Sequence, residues 1–320
     1  MPRSLIVSIP DLPQEHADRI RKAAESFGFE CRFFDRFSDA EPYLADAEII
    51  VGASPKLSRS APRLRWLCTP FAGNDLFMAP DAFANPDAML TNSSGAYGVT
   101  ISEHVIMVLL EILRRQNEYQ SHIAKREWVR RLPVRSIFGS RITLLGTGDI
   151  GQETLRRLRG FAPESITGVN RSGRNPDGLF DRIVLSGRLN DVLPETDILI
   201  ISLPGTKDTF HMVGETQMKL LPDRAVIINV GRGAVIDQAA LEKELRSNRL
   251  YAGLDVFETE PVPADSTLWE CPRLVITPHV AGDTTLPHTM DRIVDLFLED
   301  FGNYCTGRPL KRLVDRSLGY

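Results

Sequence analysis

The chain has 320 residues, 42% hydrophobic and 25% charged, with a formal net charge of −4. That balance excludes the basic field a nucleic-acid binder needs and suits an ordinary soluble chain long enough for two domains. No apolar run is long enough to span a bilayer, and Met1-Pro2-Arg3-Ser4 leads into too short an apolar stretch for a signal peptide. The four cysteines, Cys31, Cys68, Cys271 and Cys305, have neither metal-ligand nor disulfide spacing. They are expected as small buried or half-buried hydrophobes in a reducing cytoplasm, with no metal site.

Taken in chain order, strand and helix signals alternate. Leu5–Ile9 reads as a strand, Gln14–Phe27 as a helix, and Cys31–Phe34, Ile49–Val51 and Trp66–Cys68 as strands, with Pro55, Pro62, Pro70 and Pro80 breaking the loops. This predicts a small parallel α/β domain. Thr100–Arg115 carries Val105, Val108, Leu109, Ile112 and Leu113 at helical spacing, with Thr100 or Ser102 as the expected cap and Glu103 in the first turn. This helix is a natural bridge between domains, and Trp128 is expected to pack at the end of the following helix. From Arg141 the βα units repeat. Six strands are predicted, at Ile142–Leu145, Ile166–Val169, Ile198–Ser202, Ala225–Asn229, Gly253–Val256 and Leu274–Thr277, with helices such as Ala239–Ser247 between them. Six parallel strands covered on both faces make a doubly wound sheet. Met290–Tyr304 is again helical and is expected to return to the first domain.

The strand Ile142–Leu145 runs into Gly146-Thr147-Gly148-Asp149-Ile150-Gly151, followed by a helical pattern. G-x-G-x-x-G in a strand–turn–helix context predicts a dinucleotide site, with the helix N-terminus facing the pyrophosphate. About 20 residues on, an NAD-type site has a carboxylate for the ribose hydroxyl. Here Asn170 takes that place, with Arg171, Ser172 and Arg174 after it. Two guanidiniums and no carboxylate predict a preference for NADP, the alternative being a solvated basic turn.

Three ionisable residues each follow a predicted strand: Arg232, Glu260 and His279. Ligands of open α/β sheets bind beyond the carboxyl ends of strands, so the three can converge. A histidine can protonate a developing alkoxide, a carboxylate can orient it, and an arginine can grip an anionic substrate. His16, His104, His122, His211 and His288 read as structural, and Glu258 as solvated. Phe71, Tyr97, Trp269 and Leu286 are candidate pocket walls, but read better as core.

Together these segments resemble the D-isomer-specific 2-hydroxyacid dehydrogenase family. The resemblance is carried by the glycine loop, Ser202-Leu203-Pro204, Asn229–Gly233, Gly253–Pro261, Thr277-Pro278-His279 and the closing Leu313–Tyr320. It implies two Rossmann-like doubly wound domains. A dinucleotide-binding domain (100–285) would be inserted into a smaller flavodoxin-like substrate domain (1–99 and 286–320), with the site in the cleft. It implies His279 as general acid and base, Glu260 as its partner, and Arg232 as the substrate-binding cation. Ala72, Gly73 and Asn74 would lie at the substrate, with Arg232 and His279, their backbone N–H groups binding its carboxylate. The implied cofactor set is Gly146 to Gly151, Asn170, Arg171, Ser172, Arg174, Leu203, Pro204, Thr209, Val230, Gly231, Arg232, Asp255, His279 and Gly282. Asp255 would lie near the nicotinamide carboxamide. The Asn170–Arg174 stretch resembles the NADP-dependent glyoxylate/hydroxypyruvate reductases, with NAD as the alternative cofactor. The expected activity is NADPH-dependent reduction of a small 2-oxo acid to the D-2-hydroxy acid by a cytoplasmic homodimer, with no regulatory domain after Tyr320. A cofactor-sensing co-repressor-like protein and a phosphite dehydrogenase-like enzyme are the competing readings.

Overall fold

The computed structural model describes residues 3–316. The chain divides into two units, Met1–Tyr97 with Thr284–Tyr320, and Gly98–Asp283. Each is built on one all-parallel sheet.

The smaller unit has β1 (Arg3–Ser8), β2 (Phe29–Phe33), β3 (Ile49–Gly52), β4 (Trp66–Cys68) and β5 (Met89–Thr91), in the order β2-β1-β3-β4-β5. This is the flavodoxin-like order. Alternate residues of a strand point to opposite faces. Leu5 and Val7 accordingly join a core with Met290, Val294, Phe297 and Phe301 of the helix Pro287–Cys305. Ile6 joins a second core with Phe77 and Leu90. The C-terminal helix therefore belongs to this unit, and Trp66 stacks on its Phe297 at 5.5 Å. β5 lies outside the sequence-based expectation: it is three residues long and ends on the polar Thr91. Of the closing segment that carries part of the family resemblance, residues 317–320 lie outside the described residues.

The larger unit has β6 (Arg141–Leu145), β7 (Ser165–Asn170), β8 (Arg182–Leu185), β9 (Ile198–Ile201), β10 (Val226–Asn229), β11 (Tyr251–Leu254) and β12 (Leu274–Ile276). Their order is β12-β11-β10-β9-β6-β7-β8, all parallel. The sheet has seven strands, not the six expected. The missed strand, β8, is an edge strand with Arg182 and Leu185 exposed, and its apolar run is only the three residues Ile183–Leu185. Chain order reverses between β6 and β9, the topological switch point where doubly wound sheets bind ligands.

The bridging helix and Trp128 also differ from the sequence-based expectation. The bridging helix is Gly98–Arg114, so Thr100 and Ser102 lie inside its first turns and not at the position before it. Ser102 is fully buried and its hydroxyl bonds back to the Val99 carbonyl at 2.8 Å, and no acidic residue lies in the first turn. Trp128 does not pack at a helix end: it is 90% exposed in a stretch without regular structure after the helix Gln116–Ala124. The cysteines are all free, Cys68 and Cys271 buried and the other two half-buried. Burial pushes the thiols of Cys31 and Cys68 up to about 12, which suits packing and not reactivity.

Candidate active site

The glycine loop leaves β6 at the switch point. Gly146 turns at φ +111°, a conformation that disfavours any side chain, and a Cβ there would stand 2.7 Å from Ser202 Oγ at the end of β9. A Cβ on Gly151 would stand 2.2 Å from the Gly146 carbonyl oxygen, so the helix Asp149–Arg159 packs against the loop only because that position is bare. At Gly148 the same test meets open space. The loop is therefore closed on its strand side and open beyond Gly148, in front of the helix N-terminus, where N–H groups lack intrahelical acceptors. Asp149 turns its carboxylate towards Gly98, at 2.6 Å from where a side chain there would begin.

Asn170 is the last residue of β7, paired with Leu185. Its side chain builds the turn that follows. Nδ2 donates to Thr147 Oγ1 and to the Arg174 carbonyl, both at 2.8 Å, and Oδ1 accepts from Gly173 N–H at 2.7 Å. Ser172 Oγ accepts from Arg174 N–H at 3.3 Å. Asn170 is thus a brace between the glycine loop and an exposed turn bearing Arg171 and Arg174. Leu203 and Pro204 follow β9, and Thr209 knits that loop, its hydroxyl donating to the Pro204 carbonyl at 2.7 Å.

Three adjacent strands carry the ionisable set. After β10, Val230 N–H donates to the Ile201 carbonyl at 3.0 Å. Buried Asn229 folds the next turn: Oδ1 accepts from Gly231 N–H at 3.0 Å, and Nδ2 donates to the Arg232 carbonyl at 2.9 Å. Gly233 follows because the β11 loop presses on it. A Cβ there would stand 1.9 Å from the Phe257 carbonyl carbon. Arg232 is half-buried, with Nη1 donating to the Gly231 carbonyl at 2.9 Å.

After β11, Glu260 Oε1 accepts from Phe257 N–H at 2.8 Å, and its Oε2 lies 2.6 Å from His279 Nδ1. His279, after β12, has φ +55°, uncommon for a side-chain-bearing residue. Its loop is held by Asp255, which is 2% exposed. Oδ1 accepts from Thr277 Oγ1 at 2.7 Å and Val280 N–H at 2.9 Å, Oδ2 accepts from Ala281 N–H at 3.0 Å, and the Asp255 carbonyl accepts from His279 N–H at 2.9 Å. Gly282 comes next, half-buried in the same turn. With Nδ1 facing Glu260, His279 has Nε2 for another partner, and its side chain is 52% exposed. The pair is therefore an oriented imidazole that can pass a proton at Nε2.

Ala72, Gly73 and Asn74 lie in the smaller unit, in a loop fixed through its carbonyls. The Pro70 carbonyl accepts from the Tyr97 hydroxyl at 2.6 Å, the Phe71 carbonyl from Ser93 N–H at 3.1 Å, and the Ala72 carbonyl from Asn92 Nδ2 at 2.9 Å. Among the described residues the N–H groups of Ala72 and Gly73 have no acceptor. Asn74 is buried and its side-chain oxygen accepts from Asn92 Nδ2 at 3.3 Å.

Some readings change. Glu258 is exposed but engaged, 2.7 Å from His211 Nε2 and accepting from Gln238 N–H at 3.1 Å. With Asp237 these side chains bring ligand atoms within 4.8 Å of one another, yet Asp237 already caps the helix Gln238–Arg246 through Ala240 N–H. Trp269 is 53% exposed and not core, whereas Tyr97 is buried as expected. The bracing roles of Asn170, Asn229 and Thr277 escaped sequence reasoning, since a single amide or hydroxyl leaves no periodic signal.

Three comparisons bear on these units. The model of the NAD-binding domain of D-isomer-specific 2-hydroxyacid dehydrogenases matches residues 106–281. The glyoxylate/hydroxypyruvate reductase B of Pectobacterium carotovorum is 32% identical over 253 residues, 76% of this chain and 78% of that protein. A D-isomer-specific 2-hydroxyacid dehydrogenase family protein from Aeromonas salmonicida superposes with a TM-score of 0.85 at 33% identity, over 99% of this chain and all of that one. The NADPH-dependent glyoxylate/hydroxypyruvate reductase of Sinorhizobium meliloti, solved with NADP and sulfate, gives 0.81 at 26% identity, over 99% and 100%.

Proposed function

The chain belongs to the D-isomer-specific 2-hydroxyacid dehydrogenase family, and from that premise we propose that it reduces a small 2-oxo acid, of the glyoxylate or hydroxypyruvate kind, to the D-2-hydroxy acid with NADPH. The observation that carries this reading is the His279–Glu260 pair at 2.6 Å, one strand over from the turn bearing Arg232, on a sheet whose switch point holds a glycine loop.

The residues at the switch point fit a nicotinamide dinucleotide: the space beyond Gly148 is open, and the first turn of the helix Asp149–Arg159 faces it. Thr147 to Ile150 would hold the pyrophosphate by backbone N–H groups. Arg171 and Arg174, with Ser172, would hold a 2′-phosphate, and no carboxylate stands at Asn170 to repel it. Bound there, the nicotinamide supplies the hydride.

The rest belongs to this chain's side chains. Arg232 pairs with the substrate carboxylate and polarises its carbonyl. Protonated His279 gives its Nε2 proton to the oxygen as the hydride reaches carbon, and water later restores that proton. Glu260 keeps Nδ1 protonated and the ring aimed. Among the described residues the N–H groups of Ala72 and Gly73 have no acceptor, which supports carboxylate binding there. We include a homodimer in the proposal. The exposed apolar side chains of Ile123, Trp128 and Phe138 support it, and light scattering of the purified protein checks it.

The test is turnover of hydroxypyruvate, glyoxylate, pyruvate and phenylpyruvate with NADPH and with NADH. The proposal expects the small acids with NADPH to give the highest kcat/KM. Preference for NADH, or for phenylpyruvate, would contradict the cofactor or the substrate assignment respectively. No helix among the described residues is long and apolar enough to cross a membrane.

A further inference from the structure

The hydrogen bonds around Asp255 reach a residue outside the acid–base pair. We propose that His104 is a positioning residue for proton transfer, acting through Thr277 and Asp255 on the backbone that carries His279. This rests on the reading of His279 as the proton donor.

His104 belongs to the helix Gly98–Arg114, far from His279 in sequence, and its lone placement on a helix reads as merely structural. In the fold its Nε2 lies 3.0 Å from Thr277 Oγ1, which lies 2.7 Å from Asp255 Oδ1. A threonine hydroxyl has one proton. The Asp255 carboxylate only accepts, so it takes that proton, and the bond from His104 is donated by Nε2–H. The order of donation is therefore fixed: imidazole to hydroxyl to carboxylate. His104 Nε2 is 3.8 Å from Asp255 Oδ1, too far for a direct hydrogen bond, so Thr277 is the necessary link.

At the other end of this chain Asp255 receives the amides of Val280 and Ala281 through its carboxylate and that of His279 through its carbonyl. One buried residue thus anchors His279 and both residues after it. The anchor matters because His279 sits at φ +55°, where the backbone needs support from its surroundings. Donation by His104 polarises the Thr277 hydroxyl and strengthens its bond to Asp255 Oδ1, which fixes the orientation of the carboxylate that holds the two amides. Burial lowers the proton affinity of the His104 imidazole, opposed by the charges of Asp255 and Glu111, which suits a neutral donor.

Three variants separate the possibilities. His104→Phe keeps ring bulk without a donor, His104→Gln keeps a donor, and Thr277→Val keeps the shape of the link without its hydroxyl. They are compared with His279→Ala in NADPH-dependent hydroxypyruvate reduction, and by amide hydrogen exchange at Val280 and Ala281 in the protein alone. His104→Phe and Thr277→Val should lower kcat about tenfold, since small misplacements of a reacting group are costly. The KM for hydroxypyruvate should stay within about twofold, as binding groups are untouched. The primary isotope effect with 4-deuterated NADPH should rise, and exchange at Val280 and Ala281 should quicken. His104→Gln should restore all of these. If His104→Phe does not fold, Thr277→Val against His104→Gln carries the same comparison. Wild-type kcat and exchange in both donor-less variants, with His279→Ala inactive, would overturn the positioning role and leave His279 in place. Full activity in His279→Ala would overturn both.

Discussion

The β6–β7 side of the larger sheet and its β10–β12 side are shaped with different materials. On the first, the shaping is done by bare backbone: Gly146 at φ +111°, Gly151 pressed on the Gly146 carbonyl, Gly148 open to space. Side chains enter as braces, Asn170 to Thr147 and the Arg174 carbonyl and Gln152 to the Thr147 carbonyl, and as the two arginines beyond. On the second, a network of side-chain hydrogen bonds does the work: Asn229 folds the Arg232 turn, Asp255 holds the His279 loop, and Glu260 holds the imidazole. Backbone suits a ligand whose charge is fixed, because N–H groups cannot change protonation. A proton-transfer site needs groups that can, and these need others to keep them still. The account therefore expects the two sides to fail in different ways.

The largest effect should come from filling the backbone side. In Gly151→Val the added atoms collide with the Gly146 carbonyl oxygen, 2.2 Å from the first of them. Dinucleotide affinity, measured by fluorescence titration, should fall by about a hundredfold or more, as befits steric loss of a preformed site. Unchanged affinity would break the backbone half of the comparison. Next, Arg171→Ala with Arg174→Ala should raise the KM for NADPH about tenfold or more while leaving that for NADH within about twofold, as expected for lost charge-assisted pairing. Equal losses would mean that the turn braced by Asn170 is a solvated basic turn.

On the other side, Glu260→Gln can still accept from Nδ1 but no longer carries charge. It should lower kcat about tenfold with NADPH affinity unchanged, a split that marks the acid–base half alone. The smallest effect concerns pH. The unfolded chain's histidine titrates near about 6.5. Burial places His104 below that in the fold, so under that pH the unfolded state binds more protons. Stability should thus decline as pH falls from the unfolded value through the folded one. Urea midpoints between neutral and mildly acidic pH should decline less in His104→Gln than in the wild type. Identical slopes would show that His104 is not the group responsible.

The same contrast explains what could be read in advance. β6, the glycine loop and the helix after it announce themselves, because glycine spacing and apolar runs are local signals. Arg232, Glu260 and His279 stand out because each follows a strand, and the distance between Glu260 and His279 agrees with their pairing. β8 was not expected, although Ile183–Leu185 is apolar: it is a short edge strand with both ends exposed. Nor was the start of the helix at Gly98, where the first turn carries no acidic residue. Trp128 misled, because a large aromatic side chain is normally buried, and here it is 90% exposed. His104, Thr277 and Asp255 are far apart in sequence, and only the fold brings imidazole, hydroxyl and carboxylate into one line.

The most direct test of this division of labour is His279→Ala, measured for NADPH affinity and for hydroxypyruvate turnover in the same preparation. The account predicts affinity within about threefold of wild type and kcat lower by about a hundredfold or more, the loss expected when a positioned proton donor is removed. Retained turnover, or affinity falling as steeply as kcat, would contradict it.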